Sequence, residues 1–167
     1  MVALLALRGT PKVIVTRINE DVQDAMDLAY YTGQRVADVL NMKRSDIHDG
    51  ALWVRQAKTK AKLRIEIEGE LASVIERITA RAVVGVYLLT TARGDRLSYQ
   101  QLSRRFEQAR DAAKVDFQFR DLRAKAATDM ENLEQAQKLL GHATREMTEH
   151  YTKKRVGEKV RPVRRKL

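Results

Sequence analysis

Between Ala51 and Ile67 the hydrophobic period is two, while the chain on either side is spaced for helices. A period of two sends successive side chains to opposite faces of a strand. Leu52 and Val54 alternate with Trp53 and Arg55, and Leu63, Ile65 and Ile67 alternate with Arg64, Glu66 and Glu68. The lysine-rich stretch Ala57-Lys58-Thr59-Lys60-Ala61-Lys62 between the two runs predicts the turn of a β-hairpin. Val86 to Thr90 is the candidate third strand.

The flanking segments follow the helical period. Asn19 is placed to cap a helix whose first turn carries Glu20 and Asp21, with Val22, Ala25, Met26 and Ala29 on one face and Gly33 as its stop. A short helix with Val36, Val39 and Leu40 on one side follows. Leu71, Val74, Ile75 and Ile78 predict a helix over 70–84. Ser98 is positioned to cap a long helix to Lys114, with Leu102, Phe106 and Ala109 inward. Further helices are expected over 120–130, 133–140 and 144–151. The expected fold is α+β, mainly α-helical, with a small antiparallel three-stranded sheet. Residues 1–18 read as a linker or entry segment, 19–152 as one domain, and 153–167 as a basic tail.

Charge narrows the partner. Lys and Arg number 32 against 22 Asp and Glu, a formal net charge of +10. From Lys153 to Leu167 there are eight basic residues and one acidic one, so most of the excess belongs to the tail. Such an excess favours a polyanion, nucleic acid before a membrane surface. The chain has no cysteine, which removes disulfides and zinc–thiolate sites and is compatible with a reducing cytosol. No apolar stretch is long enough to span a bilayer, and Val2 to Leu7 lack the flanks of a signal peptide.

Several chemistries have no motif here. There is no phosphate-cradling GxxxxGK[ST], no GxGxxG and no GxSxG. His48, His142 and His150 are not spaced as metal ligands, so neither a metal nor a cofactor is expected. Catalysis would have to come from Arg, Lys, His and Tyr.

Those residue types are gathered in four segments. Thr32-Gly33-Gln34-Arg35 opens the short helix, and Gln56-Ala57-Lys58-Thr59 enters the hairpin turn. Arg120-Asp121-Leu122-Arg123 begins a late helix. Leu139-Leu140-Gly141-His142 is followed nine residues on by Tyr151. In this combination and order the segments resemble the tyrosine recombinases, or phage integrases, over roughly residues 19 to 152. The family pattern is TGxR, a hairpin lysine, HxxR, LLGH and a nucleophilic tyrosine. Each string alone is weak; four in order with the expected final spacing are specific.

The resemblance implies a DNA strand-cleaving and rejoining domain. Arg35 and Arg123 would clamp a backbone phosphate, since a guanidinium stays charged and binds two oxygens at once. Tyr151 would attack phosphorus to leave a 3′-phosphotyrosine, Lys58 would protonate the departing 5′ oxygen, and His142 would contact a phosphate oxygen or assist proton transfer. Arg120 stands where the family usually has histidine; it donates to phosphate but is no base near pH 7. Lys60, Lys62, Lys153, Lys154 and Arg155 are candidate DNA contacts. The implied partner is duplex DNA, on which the chain would be a homo-oligomeric tetramer, with a monomer as the alternative in isolation. The implied location is the cytoplasm of a bacterial or phage host, at the nucleoid.

Other roles remain open for individual residues. Asp38 orients or neutralises nearby arginines, or is an intrahelical partner. Lys60 and Lys62 compete with Lys58, and Tyr30, Tyr31, Tyr87 and Tyr99 compete with Tyr151. Arg123 could sit in a salt bridge and His142 could be a helix cap. The C-terminal segment is a DNA-contacting arm or packs on a neighbouring protomer. Type IB topoisomerase-like relaxation and a non-catalytic DNA-binding module are the alternative functions. Family members usually carry an additional N-terminal domain, so the chain is read as an excised fragment or a minimal member.

Overall fold

A computed structural model describes residues 20–81, 85–130 and 132–149. Helix α1 (Glu20–Thr32) is central: α3 (Gly69–Thr79), α4 (Tyr99–Ala113) and α5 (Asp121–Asp129) all pack on it. Its apolar face is fully covered, with Val22, Ala25, Met26, Leu28 and Ala29 each at most 1% exposed. The short α2 (Val36–Val39) follows α1, and α6 (Leu133–Leu140) packs on α5. Residues 145–149 are helical as well. Among the described residues, no helix is long and apolar enough to cross a membrane. Asn19, which was expected to cap α1, lies outside the described residues.

Local chemistry sets several boundaries. Thr32 ends α1 because Gly33 turns into the left-handed region at φ 62°, a conformation open to glycine without a Cβ clash. Ser98 caps α4 through a reciprocal box: its hydroxyl accepts from the Gln101 N–H, and the Gln101 side chain accepts from the Ser98 N–H. Helix α3 stops at Thr79, short of the expected 84. Its last carbonyls, of Ile78 and Thr79, accept from the Arg44 guanidinium, so the chain needs no further turn to satisfy them.

The hairpin forms as its period requires. Strands β2 (Ala51–Arg55) and β3 (Lys62–Glu66) are antiparallel with Leu52 opposite Ile65 and Val54 opposite Leu63, and the inner residues Leu52 and Val54 are buried. The third strand is a correction. It is β1 (Ile47–His48), paired antiparallel with β2, rather than 86–90. Asp49 and Gly50, both at positive φ, form the two-residue turn that joins β1 to β2. The 86–90 stretch makes only isolated bridges, Lys43 with Tyr87 and Thr90 with Arg96. Its Leu88 and Leu89 serve as core filling.

Candidate active site

All four informative segments supply a group where α1 ends, β2 ends and α6 ends. The meeting point is the carbonyl of Leu140, the last residue of α6. It accepts from Arg123 Nη2 at 2.7 Å and from Gln56 Nε2 at 2.9 Å. Arg123, 4% exposed on α5, also donates through Nη1 to the Gly33 carbonyl at 2.5 Å. One guanidinium therefore ties the end of α1 to the end of α6. Arg35, the residue before α2, approaches from the other side and donates from Nη1 to Gln56 Oε1 at 3.3 Å.

Gly141 follows in the left-handed region at φ 60°. A Cβ there would lie 2.8 Å from Gln56 Nε2. The position thus needs glycine twice, for conformation and for the amide packed over it. The turn delivers His142 into the cluster at 7% exposure. Its Nε2 lies 3.1 Å from Arg123 Nη2, and its Nδ1 lies 3.0 Å from Thr148 Oγ1. A guanidinium only donates, so Nε2 is the acceptor and the proton sits on Nδ1, facing the threonine. Burial pushes the imidazole pKa down to about 4, with the charges of Arg123 and Arg35 adding to the effect. His142 is therefore neutral at pH 7 and stands in a positive field from both arginines.

Asp38 sits on α2, one turn after Arg35, and is buried. Its Oδ1 accepts from the Ala57 backbone N–H at 2.8 Å, so it anchors the hairpin rather than pairing along its own helix. Lys58 and Lys60 occupy the exposed turn just beyond this anchor, with Lys60 at φ 60°, and exposed Lys62 opens β3. Arg120 is the exposed N-cap residue of α5, and its side chain makes no capping bond. A cleft of about 530 Å³ lies beside His142, between Thr59, Ala61 and Leu63 on the hairpin side and Gln137, Lys138 and Ala143 on the other. Tyr151, Lys153, Lys154 and Arg155 lie outside the described residues.

Two of the competing tyrosines are poor nucleophiles. Burial, with Asp129 as hydrogen-bond acceptor, raises the Tyr30 pKa, and burial pushes Tyr31 up to about 12. Both phenolates are disfavoured at neutral pH.

The amides Gln34 and Gln56 and the hydroxyl of Thr148 join the site without belonging to the sequence pattern that points to it. Gln56 carries a readable signal. It continues the inward parity of Leu52 and Val54, so its amide had to be buried and satisfied.

The fold and the site together define a mainly helical domain with a three-stranded sheet, in which arginines from α5 and from the start of α2 surround a buried histidine. The phage integrase family model matches residues 12–158, and the chain belongs to that family. It is 35% identical over 142 residues to the integrase of Escherichia phage HK022, covering 76% of this chain and 40% of that protein. Its fold matches a lambda integrase dimer bound to a COC′ core site with a TM-score of 0.75 at 29% identity, covering 96% of this chain and 59% of that one. A lambda integrase tetramer bound to a Holliday junction matches with a TM-score of 0.69 at 30% identity, covering 85% of this chain and 44% of that one. The chain spans about two fifths of the length of the curated relatives it matches.

Proposed function

We propose that this chain is the catalytic domain of a site-specific recombinase that cleaves and rejoins duplex DNA through Tyr151. The observation that carries the proposal is the gathering of Arg35, Arg123 and His142 around the Gln56 amide and the Leu140 carbonyl. A phosphodiester under attack gathers negative charge on its non-bridging oxygens, and fixed guanidinium groups stabilise that charge without a metal.

In this reading Tyr151, its proton lost to water, forms a bond to phosphorus through its phenolate oxygen. The bond from phosphorus to the 5′ oxygen breaks, and that oxygen takes a proton from the Lys58 ammonium. The 3′-phosphotyrosine keeps the energy of the broken linkage, so a 5′ hydroxyl can reverse the step without ATP. His142, neutral in the free domain, donates to a phosphate oxygen once the negative ligand favours its protonated form. Arg120 contacts the same strand's backbone from the exposed start of α5. Residues 19–152 form the catalytic unit. Lys60, Lys62 and the basic tail at 153–167, with Lys153, Lys154 and Arg155, add phosphate contacts whose strength falls with salt. The relatives bound to DNA as dimers and as a junction-bound tetramer support the same assembly here, and the cytoplasm of a bacterial or phage host is the location that goes with this reading.

The test is covalent capture. A pool of nicked random duplexes is incubated with the chain, denatured, and the modified peptide mapped. A DNA adduct on Tyr151, lost in Tyr151→Phe, is the expected result. An adduct that persists in Tyr151→Phe would remove the nucleophile assignment, and no adduct at all would favour a non-catalytic DNA-binding module. Supercoiled plasmids carrying a captured sequence then report relaxation or two-site exchange, which separates a topoisomerase-like activity from recombination.

A further inference from the structure

We propose that Gln56 is a positioning residue that holds the Lys58 turn in register with the arginine clamp, acting through its buried side-chain amide. The inference rests on the assignment of Lys58 as the proton donor in strand cleavage.

Gln56 is 0% exposed at the end of β2, two residues before Lys58. Each hydrogen-bonding valence of its amide is used. Nε2 donates to Gln34 Oε1 at 2.7 Å and to the Leu140 carbonyl at 2.9 Å. Oε1 accepts from Arg35 Nη1 at 3.3 Å and from the Thr59 hydroxyl at 2.5 Å. The orientation of the amide follows from these partners, since a flipped amide would face two oxygens with its own oxygen.

Those four partners belong to different parts of the site. Arg35 is one arm of the clamp. The Leu140 carbonyl is the group that Arg123, the other arm, also grips. Thr59 lies inside the lysine turn itself. Gln34 extends the junction by donating to the Thr32 and Leu139 carbonyls at 2.7 and 2.8 Å. The Gln56 backbone closes the turn as well: its N–H donates to the Ala61 carbonyl, and its carbonyl accepts from the Lys60 N–H. A change at this one amide therefore displaces the proton donor relative to the phosphate site. A saturated, buried amide has two consequences: its loss strands several partners at once, and its presence fixes one geometry.

The experiment compares two duplexes in single-turnover cleavage by the full chain, using a sequence recovered by covalent capture. One has the natural 5′ bridging oxygen at the scissile phosphate; the other has sulfur there. A thiolate leaves without a proton, so the sulfur substrate bypasses the general acid. Gln56→Met keeps the volume and removes the polar atoms. On the oxygen substrate it should cleave about 10- to 100-fold more slowly, with DNA affinity within about twofold. On the sulfur substrate most of that defect should vanish, as it should for Lys58→Ala. Gln56→Leu also removes the polar atoms without adding charge beside Arg35. It should show the same rescue, and it serves if Gln56→Met fails to fold in a thermal unfolding check.

The outcomes separate the two ideas. If Lys58→Ala is rescued by sulfur and neither Gln56 variant is, the amide does not position the acid and the inference falls alone. If Lys58→Ala is not rescued, the assignment of Lys58 falls and takes the inference with it. Undiminished cleavage of the oxygen substrate by both Gln56 variants also overturns it.

Discussion

Two groups of the described arginines are kept in place by different chemistry. On the face shared by α1, α3 and α4, Arg77 bonds to Asp24 and Asp27, Arg81 to Asp21 and Asp24, and Arg105 to Asp21. There carboxylates neutralise the guanidinium groups, and the charge is spent on joining elements. At the site, Arg35 is held by an amide oxygen, and Arg123 by carbonyl oxygens and an imidazole nitrogen. These contacts orient the two guanidinium groups through neutral atoms, and burial, with the charges of Arg123 and Arg35 adding to it, lowers the pKa of His142. Among these five arginines the two groups differ in their partners rather than in burial, since Arg123 is the most buried of them; neutral partners alone do not mark a site, because carbonyls also hold Arg44 at the end of α3.

That contrast can be broken by exchanging the two roles. The largest effect is expected for Arg35→Ala, which should slow covalent capture about 1,000-fold or more, the scale of losing one strong donor to a developing oxyanion. Thermal unfolding should barely move, because the residue precedes its helix and makes one long hydrogen bond to Gln56. A matched fall in stability would place Arg35 with the structural group.

The second effect is a pH dependence. The folded pKa of His142 lies below its unfolded value, so folding favours the neutral form. The contribution is complete above about pH 6.5 and is lost as pH falls towards 4, with an upper limit on the order of 3 kcal/mol. Asp24, whose pKa burial raises, contributes a slope of the opposite sign. The difference between wild type and His142→Gln in denaturant unfolding across this range therefore isolates the histidine. Parallel curves would mean that the imidazole titrates alike folded and unfolded.

Asp24→Ala comes third. It removes the carboxylate shared by Arg77 and Arg81 and should cost about 2 kcal/mol, less than a sealed ion pair because Arg77 is 40% exposed and rehydrates. Covalent capture per folded molecule should be unchanged. The smallest change belongs to Arg120→Ala. Its exposed side chain makes no capping bond, so unfolding should shift by less than about 0.5 kcal/mol. DNA capture should fall, and it should recover in Arg120→His if a donor is what the position supplies.

Legibility in the sequence followed the same division. Long periodic elements were readable because burial imposes a period, as in α1, α4 and the β2–β3 hairpin. β1 was missed because two residues carry no period, although Asp49-Gly50 announced its turn. The 86–90 run misled because Leu88 and Leu89 are apolar for the core rather than for a sheet. The candidate site was legible as residue types in order, because phosphate chemistry limits the choice. Its junction was not. Which carbonyl Arg123 grips, and which four groups share the Gln56 amide, depends on helix ends meeting across separations of up to 90 residues.

The field at the histidine is the most direct quantity to measure. Imidazole nitrogen shifts of His142 should be followed by NMR against pH, in the free chain and with a captured duplex whose scissile linkage cannot be cleaved. The expected result is an apparent pKa near 4 in the free chain, a higher one in Arg35→Ala, and a rise on adding the duplex. An ordinary value near 6.5 that neither the substitution nor the DNA moves would contradict the proposal that both guanidinium groups act on His142 and on a bound phosphate.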